Sequence, residues 1–107
     1  IKGTAGWELC GEIKESADAA NDRIYEKVTF GSDGFGRDLE QGIYREAAEV
    51  ELCGLCTDIC VISNAMLVKT FMPETLVTVD GSCCAGVTPA SHRNALEAMK
   101  MCQVNVI

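Results

Sequence analysis

The stretch Gly54-Leu55-Cys56-Thr57-Asp58-Ile59-Cys60-Val61 lies between two apolar runs and decides the fold. Residues 49–55 become more apolar towards their end, which predicts a buried strand. Residues 58–72 are apolar on almost every side until Pro73, which predicts a buried helix. The junction therefore predicts a tight passage from strand to helix, with Cys60 in the first helical turn.

Cys60 lies where a helix can make a cysteine reactive. The positive end of a helix dipole favours the thiolate, which is the nucleophilic form of the side chain. The same junction offers backbone N–H groups that can hold an oxyanion. A small buried cysteine on an apolar helix is the plainer alternative. The local pattern leaves both interpretations open.

Length and charge limit the class of protein. The chain has 107 residues, of which 48% are hydrophobic, enough for one modest core. Its 16 acidic and 9 basic residues give a formal charge of −7, which argues against binding to nucleic acid or to anionic membrane surfaces. We recognise no membrane span and no signal peptide, and therefore expect a cytoplasmic protein.

The seven cysteines are expected to be reduced thiols. Their odd number and their place in apolar segments argue against a disulfide framework. Four of them are expected to be small buried hydrophobes: Cys10, Cys53, Cys83 and Cys102.

Strand and helix patterns alternate along the chain. After a short helix or loop at 8–17, the predicted elements are a strand at 23–29, a glycine-rich turn at 30–36, a helix at 38–48, a strand at 49–55, a helix at 58–72, a strand at 75–80, a loop at 81–89, a helix at 91–101 and a strand at 103–107. Such alternation predicts an α/β fold of three layers, α/β/α, with a mainly parallel sheet and helices on both faces. Ligands bind at the carboxyl ends of parallel strands, where we expect Lys27, Cys60 and Asp80.

Two further interpretations involve charged or metal-binding side chains. Lys27 could stabilise negative charge beside a thiol, although a lysine whose ammonium simply reaches water is the more common case. The cysteines at 53, 56 and 60, together with His92, are candidate ligands of a zinc ion. The spacing lacks the second Cys/His pair of such sites, so we expect no metal bound by this chain.

Four blocks of the sequence resemble the isochorismatase-like cysteine hydrolases, the superfamily that includes nicotinamidases and pyrazinamidases. The blocks are Lys-Gly-Thr-Ala-Gly at 2–6, Glu-Lys-Val-Thr-Phe at 26–30, the stretch 54–61, and residues 79–85 with His92 and Ala95-Leu96 beyond. The resemblance extends over essentially all 107 residues. It implies that residues 1–107 are the C-terminal part of a single hydrolase domain, lacking its N-terminal strands.

The resemblance also implies roles for individual residues. Cys60 would be the nucleophile and Lys27 the lysine of an Asp-Lys-Cys triad. A cis peptide bond would join Leu55 to Cys56, and the backbone N–H groups of Cys56 and Cys60 would form the oxyanion hole.

Other parts of the family pattern would precede this chain. They are the catalytic aspartate on the first strand and the ligands of a divalent, zinc-like metal, namely an aspartate and two histidines. Asp33, Asp58 and Asp80 are interpreted as capping or loop-ordering residues and not as the base. The expected partners are a small amide substrate, the preceding N-terminal segment and further copies in a homo-oligomer.

The implied activity is hydrolysis of nicotinamide to nicotinate and ammonia through a thioester. Alternatives within the same fold are another small amide, a carbamoyl compound or isochorismate. An alternative from another class is a non-catalytic interaction domain that keeps the fold.

Overall fold

The computed structural model describes all 107 residues, around a parallel sheet of three strands in the order β1-β2-β3. The elements along the chain are α1 (Gly11–Ala20), α2 (Asp33–Glu40), β1 (Glu49–Leu55), a single turn of π-helix (Thr57–Val61), α3 (Ile62–Phe71), β2 (Leu76–Ala85), α4 (Pro89–Met101) and β3 (Asn105–Val106). Both strand pairs are parallel. The predicted α/β class with a parallel sheet is confirmed.

The sheet has one apolar and one polar face, as alternation along its strands requires. Val50 pairs with Val77 and Leu52 pairs with Val79, and all four belong to or pack on the hydrophobic core. On the opposite face the hydroxyl of Thr78 donates to Glu49 at 2.6 Å.

The two helices that contact the sheet, α3 and α4, lie on its apolar face and also contact each other. The strand order runs without reversal, so right-handed crossovers place both helices on the same side. Of the three predicted layers, this chain contributes the sheet and one helical layer. None of the four helices is both long enough and apolar enough to cross a membrane.

Residues 23–29 form no strand, so that prediction was wrong. A strand needs a neighbouring backbone for its hydrogen bonds, and this segment pairs with none of the three strands. Side chains hold it in place: Arg23 and Tyr25 both donate to the carboxylate of Asp38. The alternating sequence pattern carries no information about whether such a neighbour exists.

Helix α2 begins five residues before the predicted helix at 38–48 and ends at Glu40. Ser32 sets the start, because its hydroxyl accepts a hydrogen bond from the backbone N–H of Phe35. Gly42, two residues after the end, has a φ of 79°, which ends the helical path.

Strand β2 continues through most of the loop predicted at 81–89 and ends at Ala85. Its far end is paired, since Gly54 and Leu55 of β1 lie opposite Cys84 and Ala85. The register shifts between Leu52 and Gly54, so the extra residues of β2 bulge out. β3 is shorter than the predicted 103–107.

Four cysteines predicted to be buried are exposed: Cys10, Cys53, Cys83 and Cys102. Cys53 follows the outward alternation of β1, and Cys102 lies just past the end of α4. The core consists of aliphatic side chains and methionines: Leu39, Val61, Ala65, Val68, Met72, Val77, Val79, Met99 and Val104. All seven cysteines are free thiols.

Candidate active site

The turn after β1 has the backbone geometry that the resemblance implies. The peptide bond between Leu55 and Cys56 is cis. The N–H of Val61 then donates to the carbonyl of Cys56 at 3.0 Å, five residues back, which makes this turn a π-helix. Single π turns inside or beside α-helices are frequent at functional sites. The turn brings Cys60, which is half-buried, to the start of α3.

Lys27 and Cys60 are in contact although 33 residues separate them in sequence. The ammonium nitrogen Nζ of Lys27 lies 3.2 Å from Sγ of Cys60. It also donates to the carbonyl of Thr29 at 2.9 Å, while the rest of the lysine is exposed. The structure thus brings together the two side chains that the sequence singled out. Their catalytic roles remain predictions.

A hydrogen-bond cluster holds the segment that carries Lys27. The hydroxyl of Tyr25 donates to Asp38 at 2.5 Å and lies 2.6 Å from the hydroxyl of Tyr44. Arg23 donates to the same carboxylate at 2.7 Å. Burial and then the bond to Asp38 raise the pKa of Tyr25 well above its usual range. The Tyr25 hydroxyl, followed by Arg23, lowers the pKa of Asp38.

Asn64 makes a second connection between the two parts of the site. Its Oδ1 accepts from the backbone N–H of Ser32 at 2.9 Å, and its Nδ2 donates to the carbonyl of Cys60 at 2.8 Å. Asn64 was not among the predicted site residues. Its spacing of four residues from Cys60 was visible, but its partner in another segment was not.

The backbone N–H of Cys56 donates to no acceptor of this chain. A free N–H beside the nucleophile is what an oxyanion hole requires. The predicted second donor, the N–H of Cys60, belongs to the same π turn. The oxyanion hole itself remains a prediction.

Asp58 attaches the π turn to the start of α4. Its carboxylate accepts from the backbone N–H of Val87 and from the hydroxyl of Ser91. The Ser91 hydroxyl is the main reason that the pKa of Asp58 is lowered, with the Val87 N–H contributing less. Asp58 makes no hydrogen bond to Lys27 or Cys60, which agrees with its interpretation as a loop-ordering residue.

His92 makes the other attachment between α4 and the turn. Its Nδ1 lies 2.7 Å from the hydroxyl of Thr57, which is completely buried. Gly86 lies close to the backbone of His92, because a Cβ added at Gly86 would lie 2.9 Å from the Cβ of His92. This contact was not predicted from the sequence, in which His92 was considered as a possible zinc ligand and as part of a block that resembles the family.

Comparison with known proteins decides the family. The sequence profile of the isochorismatase domain matches residues 1–107. The chain belongs to the isochorismatase family. No curated protein matches the sequence.

Solved structures support this assignment. The crystal structure of nicotinamidase PncA from Bacillus subtilis matches this isochorismatase-family chain with a TM-score of 0.80 and 30% identity, covering 99% of this chain and 60% of that one. The nicotinamidase SaPncA from Staphylococcus aureus has a TM-score of 0.81 at 27% identity, covering 99% and 68%. The yeast nicotinamidase Pnc1p, at 18% identity and a TM-score of 0.77, shows the shared fold. The chain therefore has an isochorismatase-like hydrolase fold and spans about three fifths of the Bacillus protein.

The residues of this isochorismatase-family chain do not fit a metal site. No three side chains of histidine, cysteine, aspartate or glutamate lie together in a way that could hold an ion. His92, the only histidine, is engaged with Thr57. A divalent metal held by residues that precede this chain remains a prediction.

Proposed function

We propose that this chain supplies the nucleophile of a cysteine-dependent amidohydrolase acting on a small amide, with nicotinamide as the first choice of substrate. The contact of 3.2 Å between Lys27 Nζ and Cys60 Sγ carries the proposal. A cation beside a sulfur stabilises the thiolate, which is the form that attacks a carbonyl.

The reaction would proceed in two halves. The thiolate of Cys60 attacks the carbonyl carbon, and the backbone N–H groups of Cys56 and Cys60 stabilise the resulting oxyanion. The C–N bond breaks, ammonia leaves with the proton taken from the thiol, and a thioester remains. Water then attacks the thioester, releases the carboxylic acid and restores the thiol. The net change is amide plus water to acid plus ammonia.

The proton acceptor in this proposal is the aspartate that the family pattern places before these residues. The local carboxylates are engaged elsewhere. Asp58 accepts from Ser91 and Val87, while Asp80 accepts from the backbone N–H and hydroxyl of Ser82. The Ser82 hydroxyl is the main cause of the lowered pKa of Asp80.

The choice of substrate has two sources of support. A thiol nucleophile suits an amide better than it suits the vinyl ether of isochorismate, whose hydrolysis does not require a thiol. Two similar structures, at 30% and 27% identity, are nicotinamidases. Another small amide or a carbamoyl compound remains the alternative.

We also propose that the protein is cytoplasmic, that it forms a homo-oligomer, and that a segment of the same domain precedes these residues. Seven free thiols support the reducing setting. The outer edge of β1 pairs with no strand of this chain and so exposes backbone donors and acceptors. This open edge supports the proposal that another strand, from a preceding segment or another copy, pairs with the sheet.

Ammonia release from nicotinamide tests the proposal. We expect the protein isolated from its source to release ammonia, Cys60→Ala to release none, and Cys102→Ala, which changes an exposed thiol, to match the unmodified protein. Activity retained in Cys60→Ala would overturn the assignment of Cys60 as the nucleophile. Cys60-dependent ammonia release from another small amide, without release from nicotinamide, would overturn only the choice of substrate.

A further inference from the structure

We propose that Asn64 is a positioning residue that fixes the distance between Lys27 and Cys60. The inference rests on the proposed function, in which these two side chains act as a pair. Asn64 itself makes no hydrogen bond to the lysine ammonium or to the sulfur. It acts through the backbone on both sides of the pair.

Both the oxygen and the nitrogen of the Asn64 carboxamide make hydrogen bonds. Ser32 N–H can only donate and the Cys60 carbonyl can only accept, so the orientation of the amide is dictated by its partners. One flat group thus joins the backbone that carries the nucleophile to the backbone of the segment that carries the lysine. No other side-chain type of this size offers one acceptor and one donor in that arrangement.

A ring of contacts connects Asn64 to the lysine. Lys27 Nζ donates to the carbonyl of Thr29, and the hydroxyl of Thr29 donates to the carbonyl of Gly31 at 2.6 Å. Ser32 follows, and its N–H reaches Asn64. The ring closes through Cys60, whose carbonyl meets Asn64 and whose sulfur meets Lys27.

The Asn64 bridge has no substitute in the structure. Between residues 23–32 and residues 56–71, the only other hydrogen bond is the one between Lys27 and Cys60. Ser32 is buried, with 4% of its surface exposed, so water cannot easily replace the amide oxygen. Without the bridge, Asp38 would still hold the lysine-bearing segment at Arg23 and Tyr25, but the part of the segment near Ser32 would be able to shift relative to the sulfur.

The experiment measures how fast iodoacetamide alkylates Cys60, resolved by mass spectrometry. The variants are Lys27→Met, Asn64→Leu and their combination, each compared with the unmodified protein. We expect Asn64→Leu to slow alkylation roughly tenfold, since small misplacements of a paired group are costly. In the Lys27→Met background the asparagine change should have no further effect, because Asn64 acts through Lys27.

Two more variants separate positioning from general damage. Asn64→Asp keeps the acceptor for Ser32 but turns an oxygen towards the Cys60 carbonyl, so it should also slow alkylation, and it carries the test if Asn64→Leu does not fold. Thr70→Ala removes a hydrogen bond of the same helix, to the carbonyl of Met66, and should leave the rate unchanged. With nicotinamide as substrate, Asn64→Asp should lower kcat and leave KM nearly unchanged.

The outcomes distinguish this inference from the proposed function. Slower alkylation in Lys27→Met without any change in the Asn64 variants would overturn only the positioning role. A further slowing by Asn64→Leu in the Lys27→Met background would also overturn it. If Lys27→Met left the alkylation rate of Cys60 unchanged, this result would overturn both the claim that Lys27 activates Cys60 and the positioning role of Asn64. The alkylation rates need no substrate, so a failure to hydrolyse nicotinamide leaves this inference standing.

Discussion

Residues 1–31 and residues 49–107 are held in place by different forces. The first region contains no buried residue, and α1 buries none of its side chains. The second contains every buried hydrophobic residue of the core except Leu39. The first region is attached mainly by polar contacts, together with the packing of Tyr25 against Phe35, and the second is packed.

The candidate site has one half in each region. Cys60 lies on a turn between β1 and α3, next to the buried Val61 of the core. Lys27 lies on a segment attached through Tyr25, Asp38 and the Ser32–Asn64 bond. Packing therefore determines where the nucleophile lies, whereas hydrogen bonds, with the packing of Tyr25 on Phe35, determine where the lysine lies. The substitutions below test this division.

The largest effect is expected from the core. Met99 is completely buried, so Met99→Ala should lower the free energy of unfolding by about 2–5 kcal/mol. Met101, two residues further along, is 81% exposed, and Met101→Ala should change stability by less than about 0.5 kcal/mol. Urea unfolding measures both. Equal effects of the two substitutions would contradict the assignment of the core.

A smaller and local effect is expected from Tyr25→Phe. The change removes the hydroxyl that donates to Asp38, which should favour opening of the segment by about 1 kcal/mol. Tryptic cleavage after Arg23 and Lys27 should then accelerate about fivefold, with little change in the urea midpoint. Tyr44→Phe removes only the contact between the two hydroxyls and should have the weaker effect. A large fall in the urea midpoint of Tyr25→Phe would show that this segment is part of the packed core and is not attached mainly by hydrogen bonds.

The smallest effect concerns acid stability. The pKa of Asp58 is lowered in the folded protein, so its contribution is present above the unfolded value of about 3.9 and is lost as the pH falls through the folded value. Ser91→Ala removes the main cause of this shift. We expect a lower Tm than that of the unmodified protein at pH 7 and a smaller difference at pH 3. A difference of the same size at both pH values would contradict the role of Asp58.

The elements that were predicted correctly are those whose signals are local. The strand at 49–55 and the cysteine at the start of the following helix were both recognisable, because apolar runs and Pro73 mark their limits, although the strand alternates between exposed and half-buried residues and is not buried as expected. The contact between Lys27 and Cys60 was expected only from the resemblance and from parallel-sheet topology.

The predictions that failed depend on partners elsewhere in the chain. Residues 23–29 alternate like a strand, but the sequence does not say whether a neighbouring strand pairs with them. Cys53 and Cys83 were expected to be buried, yet their strands leave them on the exposed side. The contacts of Asn64 and His92 could not be predicted because their partners, Ser32 and Thr57, are more than 30 residues away.

The alkylation rates of all seven cysteines test the central claim most directly. Cys60 is half-buried while Cys10, Cys53, Cys83 and Cys102 are exposed, so accessibility alone would make it slower than these four. We expect Cys60 to react fastest with iodoacetamide in the unmodified protein. Lys27→Met should remove this advantage, and Lys69→Met, which removes a charge from the last turn of α3, should not. Slower alkylation of Cys60 than of the exposed cysteines, or equal effects of the two lysine substitutions, would contradict a reactive pair of Lys27 and Cys60.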